Sequence, residues 1–362
     1  MKNLYSYIVS IPLILLALVP AIAFKIDMPT EGIWFWYILV AGFLGCYTLF
    51  LKVNPFLKIL VVGSFINCFF SSAPYLSFTA YISLVFCCYF YILCLKVKDW
   101  TVIFNVVKTL LILNVFILIM QIFGKDTLLQ FGQNGLNNRG IVGNTMQMGS
   151  LSVVLSSILI LVNPLFIAFP IIVSKFYHSA GAWLSGFVGA FIYLFMKYIK
   201  NNKKEVVITI GIIVLTIFLV FAFRSGEIQN LKTGSRLHVW VKSIQLTNEH
   251  PIMGYGIGTF KHLFHPLSGM KTVAFRTAHN FFVQILFETG YSGLLFILSM
   301  LSYLFYKLIK TKSILCLVGL SMLVADGLVH FPDRMIQAIL LIVMFLAYCT
   351  VKIKERSDGR TE

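Results

Sequence analysis

An all-α polytopic membrane protein is the fold class that this sequence predicts, and three observations predict it. Hydrophobic residues make up 59% of the 362 and charged residues 12%, about half the charged fraction of a soluble domain. The apolar residues come in repeated continuous runs of about 18 to 22, enough to cross the hydrocarbon core as helices; a β-barrel would show alternation instead. The basic residues gather at the ends of those runs rather than in one block, which makes most of the net charge of +16 a signal of orientation in a bilayer, not of nucleic-acid binding. The chain therefore reads as one integral domain.

About twelve spans are expected, with ends good to a few residues. They fall near residues 4–23, 33–51, 56–72, 75–95, 102–123, 147–162, 164–177, 181–199, 205–223, 281–306, 313–330 and 335–351. Asn163-Pro164 splits the two short ones, leaving either two tilted helices or one broken helix. The first run follows Lys2 and leads directly into more spans, so no cleavable signal is expected. One set of ends carries Lys52, Lys58, Lys96, Lys98, Lys197, Lys200, Lys307, Lys310 and Lys352, while the alternate loops are poor in lysine. The lysine-rich side is expected to be cytoplasmic, with both termini inside. The seven cysteines, Cys46, Cys68, Cys87, Cys88, Cys94, Cys316 and Cys349, all lie in apolar runs without CxxC spacing and read as buried thiols.

This orientation divides the chain into spans 1–9 over residues 1–223, a periplasmic loop over 224–280, and the last three spans with a cytoplasmic tail over 281–362. The loop is the one long polar interruption, so function is sought there first. The outer side is short of lysine yet holds Arg139, Arg224, Arg236, Arg276 and Arg334. Arginine placed against the topological bias needs a reason, and a planar fork of donors suits phosphate or pyrophosphate; anchoring to lipid headgroups is the plainer alternative. Arg236 to Leu246 reads as a short amphipathic helix, with Trp240, Ser243 and Ile244 one and two turns from Arg236. Glu249-His250-Pro251 ends it, and Gly254, Gly256 and Gly258 then alternate, permitting positive φ and close backbone approach. Ala278-His279-Asn280 stands at the mouth of a span, whose N-terminus would favour anionic groups. Asp326, His330, Asp333 and Arg334 form a second polar cluster, read as a local salt bridge or a partner for an arginine above it.

In order along the chain, Arg236…Trp240…Ser243, His250-Pro251, Gly254-x-Gly256-x-Gly258-x-Phe260, His279-Asn280, and Glu288-Thr289-Gly290 with Gly293 resemble the O-antigen ligase and O-antigen polymerase superfamily of bacterial envelope proteins. Asn137-Asn138-Arg139-Gly140…Gly143-Asn144 is similar to that superfamily's glycine- and asparagine-rich element. One departure stands out: in Ser179-Ala180-Gly181-Ala182-Trp183, Ala180 occupies the place where the superfamily often has arginine, leaving Lys175, Arg139 or Arg224 to supply that charge.

The resemblance implies an inverting glycosyltransferase in the bacterial inner membrane with its site on the periplasmic side. Its donor would be a glycan on undecaprenyl pyrophosphate, its acceptor a glycan or a lipid-linked glycan, and its surroundings the lipid bilayer, with a chain-length regulator as a further partner. No cofactor is expected, and outside the membrane no DxD or His/Asp/Glu cluster has metal-ligand spacing. Such an enzyme must stabilise charge on a departing pyrophosphate and position a hydroxyl. The expected catalytic residues are Arg236, as the pyrophosphate contact, and His279, to orient or deprotonate the hydroxyl. Arg139, Arg276, Arg224, Asn280 and Trp240 are the expected substrate contacts, with helix capping an equal explanation for Asn280 and burial an alternative for Trp240. Glu288 reads as structural. A polymerase of lipid-linked repeats is favoured over a ligase that moves finished glycan to lipid A core or protein. A lipid-linked sugar transporter is the reading from another class, and it would call for charges at the bilayer midplane and repeated halves.

Overall fold

The computed structural model describes residues 4–10, 54–122, 145–177, 179–198, 236–269, 275, 277–329 and 336–359. The regular structure among these residues is helical, and no strand occurs among them. The spans expected at 33–51 and 205–223 and most of that at 4–23 lie outside the described residues, as do Arg139, Arg224, Arg276, His330, Asp333 and Arg334.

In chain order the helices are α1 (Pro55–Phe69), α2 (Pro74–Cys94), α3 (Thr101–Ile122), α4 (Thr145–Leu159), α5 (Ala168–Tyr177), α6 (Ala180–Tyr198), α7 (Arg236–Thr247), α8 (Phe260–Ser268), α9 (Phe281–Lys310), α10 (Ile314–Gly327) and α11 (Ile336–Ser357). A 3₁₀ turn, Pro164–Ile167, precedes α5. Pro74–Cys94, Thr101–Met120 and Phe281–Lys310 are long and apolar enough to cross a membrane, and α1, α4, α6 and α10 are shorter apolar helices. The protein is thus a helical membrane protein.

Starts and stops follow from local chemistry. Asn54 and Asn163 each precede a proline at the first helical position, and their side chains accept from the N–H of Phe56 and Leu165, both at 2.9 Å. The second of these settles the question left open at Asn163-Pro164: the chain makes two helices, with a capped restart between them. Asp99 caps α3 by accepting from Thr101 N–H at 2.9 Å.

The chain divides into two compact units. The first comprises Met1–Phe24, Leu93–Phe221 and Phe305–Glu362. Its helices pack through small residues: a Cβ on Gly189 would stand 2.7 Å from Met322, and one on Gly319 would stand 2.7 Å from Ser157 O. Ser152, Ser157, Ser185 and Ser321 are buried there and return their hydroxyls to the carbonyl four residues back at 2.8 Å. Where the hydrophobic effect does not drive helices together, close backbone approach and self-satisfied hydroxyls do this work. Asp326 of α10 is fully buried in the same unit.

The second unit comprises Lys25–Ile92 and Ala222–Leu304 and contains the polar loop. The loop has its own core, formed by Val239, Leu246, Tyr255, Phe260, Phe264, Ala278 and Phe287. Phe260 stacks on Phe264 at 4.6 Å, and Tyr255 stacks on Phe287 at 4.7 Å. A second cluster, including Val61, Cys68, Phe78, Tyr81 and Val85, joins α1 to α2.

The span expected at 281–306 runs longer, to Lys310, and is not continuous. Gly290 has φ 67° and ψ −169°, a conformation open essentially to glycine alone, so α9 is two helical segments around a kink.

Candidate active site

The kink in α9 organises the loop. An unbroken helix would cover the carbonyls of Phe287 and Glu288; here they accept from Tyr255 N–H at 3.0 Å and Gly256 N–H at 2.8 Å. In return, Tyr291 N–H donates to Pro251 O at 2.8 Å and Ser292 Oγ to Ile252 O at 2.6 Å. The Gly-Tyr-Gly segment is therefore stitched into a helix break, and every backbone group freed by the kink that these bonds name finds a partner. The glycines are required by space as well as by φ. A Cβ on Gly254 would stand 2.5 Å from Phe287 O, and one on Gly258 2.6 Å from Ala80 Cβ.

Two polar side chains of the helical hairpin α1–α2, one of them supported by a third, hold the other side of the segment. Asn67 donates to Met253 O at 2.6 Å and accepts from Ile257 N–H at 2.9 Å. Ser71 Oγ donates to Tyr255 O at 3.1 Å and itself accepts from Ser77 Oγ at 2.7 Å. Sequence reasoning missed Asn67, Ser71 and Ser77; their signal was an amide and paired hydroxyls inside an apolar run, costly without partners.

Glu288 has the structural place expected of it. Its carboxylate accepts from Gly258 N–H at 2.8 Å, Phe260 N–H at 3.2 Å and Gln284 Nε2 at 2.9 Å. Thr259, the N-cap residue of α8, donates its hydroxyl to Gly256 O at 2.6 Å and makes no side-chain cap. Glu288 supplies the negative charge that the N-terminus of α8 favours. Gln284, almost fully buried, also accepts from Ala278 N–H at 3.2 Å, so a polar chain runs from Ala278 through Gln284 and Glu288 to the glycine segment.

The expected site residues that are described fall around this framework. Arg236 is the first residue of α7, half-buried, and no acidic residue lies in that helix's first turn. Trp240, one turn on, donates from Nε1 to Ala278 O at 2.7 Å. That bond ties the N-terminal part of α7 to the residue immediately before His279. The buried face of α7 is Val239, Ser243, Leu246 and Thr247, and Ile244, expected on the face with Trp240, is 40% exposed. The stripe is set by the aromatic core beneath it.

His279 takes φ 51°, one of two non-glycine residues with positive φ among the described residues. It is half-buried, with Phe275 edge-on to its ring at 6.3 Å. Its neighbours are fixed on both sides: Ala278 by Trp240 and Gln284, and Asn280 as the N-cap of α9, accepting from the N–H groups of Phe282 at 2.9 Å and Val283 at 3.1 Å. Asn280 thus carries the capping role foreseen as its alternative. A strained φ of this kind persists where the surroundings over-determine it. The N-terminal ends of two helices, both free of acid in the first turn, are linked through Trp240 and Ala278.

Tyr255 completes the loop's base. Its hydroxyl donates to Glu249 at 2.9 Å, and its pKa is pushed up to about 12, first by burial and then by the adjacent carboxylate. Ala180, where an arginine was expected, is the first residue of α6, and the buried Ser179 before it accepts from Ala182 N–H at 3.3 Å.

Among curated proteins none matches the chain. The family model described as O-antigen ligase matches residues 165–298, a stretch that includes α7, α8, the glycine segment and the kink in α9. Over those residues the chain is similar to O-antigen ligases, which supports the likeness to the O-antigen ligase and polymerase superfamily of membrane glycan-processing proteins.

Proposed function

We propose that the protein is a polymerase that joins undecaprenyl-pyrophosphate-linked oligosaccharide repeats into a surface polysaccharide, by metal-independent inverting glycosyl transfer on the periplasmic side of the bacterial inner membrane. The observation that carries this reading is the Trp240–Ala278 bond. It fastens the helix end bearing Arg236 to the backbone beside His279, so a guanidinium, two helix N-termini and an imidazole belong to one piece of structure.

The chemistry asks for those parts. The acceptor hydroxyl attacks the anomeric carbon as the bond from that carbon to the pyrophosphate oxygen breaks, inverting the centre. Undecaprenyl pyrophosphate leaves with the bonding pair, and the hydroxyl proton passes to His279 and on to solvent. Arg236 and the helix N-termini stabilise the charge that grows on the departing phosphate, a contribution commonly worth ~3 kcal/mol per donor. Arg139, Arg224 and Arg276 are proposed as further cations around the diphosphate, and Trp240, which presents a half-buried indole, as a wall for the sugar. The superfamily's ligase reaction has the same donor chemistry and a different acceptor, and the description of the matching family favours keeping it as the second reading.

Purified protein and a lipid-linked repeat in detergent form the test. Arg236→Ala and His279→Ala are each expected to lower product formation by about 100-fold or more. His279→Gly, which suits the observed φ, should fold at least as well as the parent and be as inactive as His279→Ala. Full activity in His279→Gly would remove the histidine from the chemistry. The acceptor is decided in cells: loss of the gene leaves surface lipid capped with a single repeat if the protein polymerises, and uncapped if it ligates.

A further inference from the structure

The first unit holds a cavity of about 770 Å³ at the lysine-bearing ends of α6, α9 and α11. Among the described residues, Lys197, Lys310, Lys312, Lys352 and Arg356 line it against one carboxylate, Glu355. Glu355 pairs with Lys352 at 2.9 Å. Arg356 donates from Nη1 to the carbonyls of Thr311 and Lys312, fastening α11 to the end of α9. Among the described residues the lining thus holds more cationic than anionic side chains, and Lys310 and Lys312 add to that excess. Its lining also includes the apolar and aromatic side chains of Leu161, Ile314, Tyr193 and Tyr348. Lys197 lies over Tyr193 at 5.5 Å and Lys352 over Tyr348 at 5.8 Å, the pairing of tyrosine with lysine found where a helix leaves the hydrocarbon.

Lys312 is the second observation. Ser313 N–H donates to Leu308 O at 2.9 Å and Lys312 N–H to Ile309 O at 3.0 Å, closing α9 with a Schellman motif. The residue in the left-handed position of that motif is usually glycine. Here it is Lys312, with φ 53°. The chain has a lysine in the conformation that favours glycine most, in the lining of a cavity already rich in cations.

We propose that this cavity binds the phosphate headgroup of an anionic phospholipid from the leaflet next to the lysine-rich helix ends. A phosphodiester supplies the missing negative charge, and the size suits a headgroup. The apolar and aromatic lining residues suit the glycerol and the first methylenes of the acyl chains, which a soluble phosphate lacks. This site is independent of the catalytic reading.

The test uses the full chain, delipidated in detergent, with native mass spectrometry against phosphatidylglycerol, phosphatidylcholine and inorganic pyrophosphate. Phosphatidylglycerol should bind about tenfold or more tighter than phosphatidylcholine. Lys312→Gly relieves the backbone while removing the charge, so it should keep the melting temperature and weaken phosphatidylglycerol by roughly fivefold; adding Lys310→Gln should cost a similar factor again. Lys98→Gln, at a helix end outside the cavity, should change nothing. Equal binding of the two lipids, unchanged binding in Lys312→Gly/Lys310→Gln, or an equal loss in Lys98→Gln would overturn the site. Pyrophosphate binding as tightly as phosphatidylglycerol would overturn the lipid assignment.

Discussion

Tyr255 shows how a single side chain reports on the whole loop. Its ring stacks on Phe287, its backbone N–H closes the kink, and its hydroxyl meets Glu249. Because burial and the carboxylate raise its pKa to about 12 from an ordinary value near 10, the folded state holds the phenolic proton more tightly than the unfolded chain. Its contribution to stability is therefore complete below about pH 10 and is lost as pH climbs from there to about 12. Tyr255→Phe, which drops one hydrogen bond worth ~1 kcal/mol, should be the less stable protein at neutral pH and should draw level with the parent as the pH approaches 12. Paired thermal melts between pH 8 and 12 measure this, and parallel curves would contradict it. At this scale the sequence already marked Arg236, Trp240, His279 and Glu288 as a set. It could not show that Trp240 bonds to Ala278, since a contact across 38 residues leaves no local pattern.

At the scale of elements, periodicity and hydropathy identified α7 and every described apolar helix from α1 to α11, with ends differing by a few residues. They did not identify α8 or the kink. Phe260, Leu263, Phe264 and Leu267 have helical spacing, yet three glycines precede them and Pro266 stands in the last turn, so the segment reads as loop. The kink was hidden for the opposite reason. Apolar text continues on both sides of Gly290, and hydropathy does not sense φ. Gly290 is also a place where substitution should hurt: a Cβ would stand 2.5 Å from Ile252 O, on a backbone that other residues avoid. Gly290→Ala should lose about 2–5 kcal/mol. Gly269→Ala, with φ 67° but nothing within 4 Å, should lose only about 1 kcal/mol. Chemical denaturation of the two variants separates them, and equal losses would mean that the stitched kink adds nothing to stability.

For the molecule as a whole, composition and long apolar runs were enough for a helical membrane protein, and the ordered loop residues pointed to the superfamily whose family model matches residues 165–298. The grouping of residues into two compact units was not legible. One unit joins the early hairpin to the late loop, and the side-chain bonds that do so are made by Asn67 and by Ser71, to which Ser77 donates; hydropathy treats all three as blemishes in an apolar run. A polar residue in such a run points to a partner without naming it.

Asn67 and its partner Met253 are separated by 186 residues. At a synthesis rate of about 5–20 residues per second, the carboxamide waits roughly 10–40 s before the ribosome delivers what it will bind. During that interval an early segment holds an amide in an apolar helix with its eventual acceptor unmade, a natural moment for insertion machinery or a quality-control protease to act. The asparagine should therefore switch sign with chain length. Asn67→Leu should prolong the half-life of a nascent fragment ending at residue 250 and shorten that of the finished protein. Pulse-chase of the two lengths reads both, and a leucine that helps or harms them alike would uncouple this amide from the timing of assembly.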